Sequence, residues 1–121
     1  AWPLTKCVER WPYLIDPHLK MLLNFLDKTH VHDAVIRNTV RLLQYIEVPS
    51  RYQGKVVDHC FRYLQDRKVA IAIRVFSMTV LSNIVQHQPG LKGELKSILE
   101  NEMPYASAAF RSRGMKIVKR L

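Results

Sequence analysis

Apolar residues recur at every third or fourth position along most of the chain, which is the spacing of one face of an α-helix. One helix start is predicted at Asp16-Pro17, because an aspartate accepts orphan amide hydrogens and a proline fits the first turn. A second start is predicted at Ser50-Arg51-Tyr52-Gln53, which has the spacing of a capping box, and a third at Gln88-Pro89. The stripes that follow these starts are Leu19, Leu22, Leu23 and Leu26, then Val57, Cys60, Phe61 and Leu64, then Leu91, Leu95, Ile98 and Leu99.

Each of these helices is followed by a second helix, predicted over roughly 33–46, 69–86 and 107–121. The connections are short, which makes neighbouring helices antiparallel. The last two partner helices match at a constant offset of 37 residues, and the first follows at an offset of 38. A small residue recurs at one matched position, as Thr39, Ser77 and Gly114. The pattern therefore predicts an all-α superhelix of three antiparallel helix pairs, in which the small residues allow close packing.

At 121 residues the chain is predicted to form one domain, 1–121. Its repeats are expected at about 16–48, 49–87 and 88–121, after a partial unit at 1–15 whose first helix is absent. The two tryptophans, Trp2 and Trp11, fall in that partial unit. They either cover the open end of the stack or contact a missing segment.

The paired helices resemble HEAT or armadillo repeats over nearly the whole chain. The resemblance rests on the period, on Asp33 and Asp66 between the helices, and on the dipeptides Ile36-Arg37 and Ile73-Arg74. The runs 107–114 and 75–81 are similar to small bacterial HEAT-like proteins of unassigned role, some of which carry the name adenylosuccinate lyase. The lyase signature, a Gly-Ser-Ser loop followed by Met-Pro-x-Lys, has no counterpart here, so we interpret that name as an error. The resemblance implies a concave surface, formed by the second helices, that binds a macromolecular partner.

The chain has 19 basic and 10 acidic side chains, which give a net charge of +9. Beyond Met103 there are five basic residues and no acidic residue. A positive field favours polyanionic partners without selecting among them. No apolar stretch is long enough to cross a bilayer, and no signal segment opens the chain, so we expect a cytoplasmic protein.

Helical geometry places several basic residues beside the predicted core faces of the second helices, where they form a candidate binding face. Three interpretations of this face stay open: a polyanion-binding groove, a groove for an acidic protein segment, and a solvated surface. We expect another protein as the partner, and a nucleic-acid-binding or DNA-repair-related protein is the alternative. The candidate residues are Arg37, Arg41, Arg74, Arg111, Arg113, Lys116, Lys119 and Arg120.

Two arrangements superficially indicate a catalytic or metal site. The run His30-Val31-His32-Asp33 has possible metal ligands, but Asp33 is better interpreted as a helix N-cap and no further ligand follows at a suitable spacing. In His59-Cys60 the two side chains point about 100° apart on a helix, and Cys60 belongs to the core stripe. We therefore expect no enzymatic activity, no metal, no cofactor and no small-molecule substrate.

Overall fold

The computed structural model describes residues 16–28 and 32–121, which are helical apart from short connections. No β-strand occurs within these ranges, so the all-α prediction is confirmed. The predicted partial unit at 1–15, with Trp2 and Trp11, lies outside the described residues. Two short 3₁₀ helices, Pro89–Leu91 and Met103–Tyr105, precede the last two α-helices. The α-helices are α1 (Asp16–Leu26), α2 (Asp33–Leu43), α3 (Ser50–Gln65), α4 (Ile71–Val85), α5 (Lys92–Glu102) and α6 (Ala108–Arg120).

The helices follow one another as the pairs α1 with α2, α3 with α4, and α5 with α6. The second helices form a continuous row, because α4 packs against α2 on one side and against α6 on the other. In the row of first helices, α1 contacts α3. Helix α4 therefore lies at the centre of the stack, and nine of its 15 residues are buried.

Leucines of the predicted stripes form much of the core, because each amphipathic helix buries one face against its neighbours. Leu19 and Leu64 are completely buried, as are Leu95 and Leu99 of α5. One contiguous apolar cluster extends from α1 to α6. Its other members include Val40, Leu42, Leu43, Val56, Cys60, Ile73, Met78, Val80, Leu81, Phe110 and Ile117.

Two predicted helix caps are wrong in detail. Asp33 is the first residue of α2 rather than its N-cap, and His32 caps the helix by accepting a hydrogen bond from the Ala34 amide at Nδ1. Helix α3 has Pro49 at its N-cap and no side-chain cap, so the capping box predicted at Ser50 does not form. Gln53 instead donates from Nε2 to the Val48 carbonyl at 2.9 Å. This hydrogen bond links the Gln53 side chain to the connection that precedes α3.

The recurring small residues Thr39, Ser77 and Gly114 are all buried. Thr39 and Ser77 each donate a hydroxyl hydrogen bond to the carbonyl four residues earlier, at 2.8 and 2.7 Å, so neither buried hydroxyl lacks a partner. At the third position Gly114 has no side chain, and Met103 occupies the space. A Cβ atom at Gly114 would lie 3.0 Å from the Met103 sulfur and 3.9 Å from a Leu99 methyl group.

We predict that Gly114→Leu destabilises the protein by about 1–3 kcal/mol, because a large side chain would overpack this contact. Gly54→Leu is the matched control, because an added Cβ at this exposed glycine of α3 meets no atom within 4 Å. Leucine is a better helix former than glycine, so the control should be neutral or stabilising by up to about 1 kcal/mol. Equal urea-unfolding midpoints for the two variants would show that Gly114 is not at a close contact.

Candidate functional site

The predicted basic residues lie on all three second helices, and the structure divides them into different environments. Arg37 and Arg41 are on α2, and Arg74 is on α4. Helix α6 carries the remaining five, which are Arg111, Arg113, Lys116, Lys119 and Arg120. Because α4 separates α2 from α6, the basic residues of these two outer helices form two groups.

Arg74 is not on an exposed face, which corrects its place in the predicted set. Only 7% of Arg74 is accessible, and its guanidinium donates two hydrogen bonds to the Leu64 carbonyl at 3.1 and 2.9 Å. It also forms an ion pair with Glu102 at 3.2 Å and stacks over the Phe110 ring at 4.7 Å. Burial lowers the pKa of Arg74, and the Glu102 carboxylate opposes that shift. Arg74 thus joins the second helix pair to the third.

Glu102 has a second partner at the edge of the same cluster. Arg67 donates from Nη2 to Glu102 at 2.7 Å, and this hydrogen bond raises the pKa of Arg67. The Arg67 side chain is 59% exposed, whereas those of Arg74 and Glu102 are 8% and 11% exposed. In this cluster two arginines therefore share one carboxylate, with a buried end at Arg74 and a solvated end at Arg67.

Arg113 is also partly engaged within the protein. Its Nη1 atom donates to the Thr79 hydroxyl of α4 at 2.6 Å, and the residue is half-buried. Lys116, Lys119 and Arg120 are exposed on the same helix, and Arg37 is exposed on α2. Arg41 is half-buried. We name the exposed surface of α2, α4 and α6 around these residues the second-helix face.

The centre of the second-helix face is neutral. Between the two basic groups α4 presents Val75 and Thr79, which are half-buried, while Ser82 is buried. Packed helices lie about 8–10 Å apart, so two such spacings place α2 and α6 roughly 20 Å from each other. A groove of about 360 Å³ lies between the ends of α2 and α4. Its polar lining consists of the Glu47 carboxylate together with neutral or weakly basic side chains, which are Gln44, Tyr45, Gln53, Asn83, Gln86 and His87.

A polar network that the sequence did not reveal joins α1 to α3. His59, which is buried on α3, bonds through Nε2 to the Asp27 carboxylate at 2.8 Å and through Nδ1 to Arg62 at 2.6 Å. A guanidinium can only donate, so Nδ1 accepts and Nε2 carries the hydrogen that is donated to Asp27. Lys55 donates to the other carboxylate oxygen at 2.6 Å. Asp27 and His59 are 32 residues apart, so only the helix stacking brings them together.

The hydrogen bonds from Lys55 and His59 hold the pKa of Asp27 below its ordinary value. A carboxylate with a lowered pKa stabilises the fold above its unfolded-state pKa, and this contribution is lost as the pH falls through the folded-state pKa. We therefore predict that Asp27→Asn lowers the melting temperature at neutral pH and that the difference from wild type shrinks in acid. Asp58→Asn, which changes an exposed carboxylate on α3, should have a much smaller effect at neutral pH. A constant difference at every pH would contradict this assignment.

The structure offers no activated nucleophile at Cys60. The thiol is buried, and burial raises its pKa to about 12, so the reactive thiolate is scarce at neutral pH. No group of three His, Cys, Asp or Glu side chains in the described ranges has the arrangement of a metal site. His30 falls outside those ranges, and His32 serves as the cap of α2.

None of the helices within residues 16–28 and 32–121 has the length and apolar character needed to cross a bilayer. The longest of the described helices, α3, has 16 residues and contains several charged side chains.

Comparison with known proteins agrees with the architecture. The HEAT repeat domain family matches residues 1–121, the full length of the chain. No curated protein and no solved structure matches the chain. Paired helices, a continuous row of second helices and a family match over every residue lead to one conclusion: the chain belongs to the HEAT repeat domain family.

Proposed function

We propose that this HEAT repeat domain is a non-enzymatic interaction module whose second-helix face binds an acidic segment of another protein. The observation that carries the proposal is the arrangement of exposed basic residues on α2 and α6 around the neutral surface of α4. Helical-repeat stacks present extended surfaces of this kind to partners. Carboxylates of a bound segment would pair with the outer helices while its backbone crosses α4.

The lining of the groove between α2 and α4 favours a peptide over a nucleic acid as the ligand. Gln44, Asn83 and Gln86 each donate one side-chain amide hydrogen bond to a carbonyl within the protein, which leaves their side-chain oxygens as acceptors, and Tyr45 is 43% exposed. Such groups match the hydrogen-bonding groups of an extended peptide backbone. A nucleic acid carries a dense row of phosphates, and the neutral stripe of α4 interrupts the positive track that such a row needs.

A labelled poly-glutamate peptide of about ten residues tests the proposal by fluorescence anisotropy. Two helix spacings require at least about six extended residues, so this length spans the face. Replacing Lys116, Lys119 and Arg120 with glutamine should weaken binding about tenfold, because three exposed ion pairs contribute roughly 0.5 kcal/mol each.

The control variant replaces Lys20, Lys68 and Lys92 with glutamine and therefore removes the same charge. Lys20 is on α1, Lys68 is in the connection after α3 and Lys92 is on α5, so none of these exposed lysines belongs to a second helix. The control should bind nearly as well as wild type. If both variants lose peptide affinity equally, net charge alone accounts for the binding and the second-helix face is not the site. If the wild-type protein does not bind the peptide, the proposal is wrong.

The alternative function is nucleic-acid binding through α6, which has five basic residues and no acidic residue. A duplex DNA titration separates the two functions, because the log-log salt slope is about −0.9 for each neutralised phosphate. If DNA binds at α6, replacing Lys116, Lys119 and Arg120 with glutamine removes up to about three phosphate contacts. The salt slope should then become shallower by up to about 0.9 for each lost contact. We expect DNA to bind more weakly than the acidic peptide at the same salt concentration.

A further inference from the structure

The groove between α2 and α4 lies where both helices end, at Leu43 and Val85. The C-terminal end of a helix carries a partial negative charge, which favours a cation. The last turn of α4 contains no basic residue, and Arg41, in the last turn of α2, does not line the groove. Although the chain has a net charge of +9, no lysine or arginine is found among the described residues that line this groove.

The groove offers hydrogen-bond acceptors that the protein itself does not use. Gln44, Asn83 and Gln86 each direct a side-chain amide nitrogen to a backbone carbonyl, at 3.3, 3.2 and 3.4 Å. A carbonyl can only accept, so these bonds fix which end of each amide is the nitrogen, and the oxygens accept no hydrogen bond within the described ranges. The Glu47 carboxylate is 3.9 Å from His87 Nε2, which is beyond hydrogen-bond distance. The groove therefore favours a ligand that donates hydrogen bonds and carries positive charge.

The floor of the groove is apolar. Five buried residues line it, which are Leu43, Ile46, Val48, Val80 and Ile84. An arginine side chain matches both parts of such a site, because its methylene stem packs on apolar surface while its guanidinium supplies five N–H donors. A volume of about 360 Å³ is at the lower end of the range for small-ligand sites, roughly 300–1,000 Å³, so the groove suits one long side chain.

We propose that this groove binds an arginine side chain of the partner protein. The guanidinium donates to the Glu47 carboxylate and to the side-chain amide oxygens of the groove, and the stem lies on the apolar floor. Tyr45, which is 43% exposed in the same lining, provides an aromatic ring of the kind on which guanidinium groups stack. That the arginine belongs to the acidic segment rests on the proposed function, which it refines: the segment carries carboxylates for the outer helices and one arginine for the groove.

N-acetyl-arginine N-methylamide tests the groove without an acidic segment. We expect its titration into the labelled protein to change the amide NMR shifts mainly at Gln44, Glu47, Asn83 and His87. The citrulline analogue is the matched control, because it has the same shape and a neutral urea group. It should bind about tenfold more weakly, since charge-assisted hydrogen bonds are stronger than neutral ones. The net charge of +9 alone predicts the opposite order, because it repels the arginine analogue.

Glu47→Gln should weaken binding of the arginine analogue about fivefold, because the variant keeps a hydrogen-bonding side chain and removes the negative charge. The Glu47 side chain is 82% exposed, so the fold should not change. Glu100→Gln makes the same change of charge on α5, at a residue that does not line the groove, and should leave the affinity unchanged.

Three results would overturn the proposal: shift changes outside the groove, equal affinity for the arginine and citrulline analogues, or equal affinity for N-acetyl-lysine N-methylamide, which would make charge alone the determinant. Failure of the proposed function gives a different result. If the arginine analogue binds in the groove while the poly-glutamate peptide does not bind, the groove assignment stands and the acidic-segment function is wrong. If the peptide binds and the arginine analogue does not, the groove assignment alone is wrong.

Discussion

Glu102→Ala is expected to lower the free energy of unfolding by about 3–5 kcal/mol, because it leaves the buried Arg74 guanidinium without its carboxylate. Arg74 would keep its hydrogen bonds to the Leu64 carbonyl, but its charge would be uncompensated in a site that is 7% exposed. Urea unfolding followed by circular dichroism measures the change.

Glu100→Ala is the matched control, because Glu100 lies on the same helix and pairs with Lys96 at 4.0 Å while both side chains are about half exposed. A surface pair of this kind contributes about 0.3–0.5 kcal/mol. The double variant Arg74→Met with Glu102→Ala should recover part of the loss, since it removes the unpaired charge. Similar losses for Glu100→Ala and Glu102→Ala would contradict the assignment of a buried ion pair.

Phe110→Ala should also cost about 3–5 kcal/mol. The side chain is 1% exposed, and truncating it removes core contacts and leaves a cavity beneath the Arg74 guanidinium. The loss should appear as a lower urea midpoint.

Phe25→Ala is the same chemical change at an exposed position. Phe25 is 36% exposed on α1, and its ring contacts Lys28 at the surface. We expect a loss below about 1 kcal/mol. If the two phenylalanine variants unfold at the same urea concentration, Phe110 does not hold the third helix pair against the second.

The sequence predicts the helices well, because amphipathic periodicity reports burial directly. Leu19, Leu64, Leu95 and Leu99 all belong to the predicted core stripes, and all four are completely buried. Cap details were less predictable. His32 caps α2 in place of Asp33, and no side chain caps the start of α3 at Ser50, and residue spacing alone does not distinguish these outcomes.

The main error at the candidate site concerns register. Arg37 and Arg74 both follow an isoleucine, which suggested equivalent positions. The offset between their helices is 38, so Arg74 corresponds to Ile36, and one residue of register rotates a side chain by about 100°. Arg37 is consequently exposed while Arg74 is buried. The carboxylate that compensates Arg74 lies 28 residues away, in the next helix pair.

The most direct measurement of the central proposal is an amide NMR titration of the labelled protein with the poly-glutamate peptide. Binding on the second-helix face predicts shift changes concentrated at the exposed and half-buried positions of α2, α4 and α6, including Arg37, Thr79 and Lys116. The amides of α1, α3 and α5 should change little. Shifts concentrated on those three first helices, or no shifts at any peptide concentration, would contradict the account.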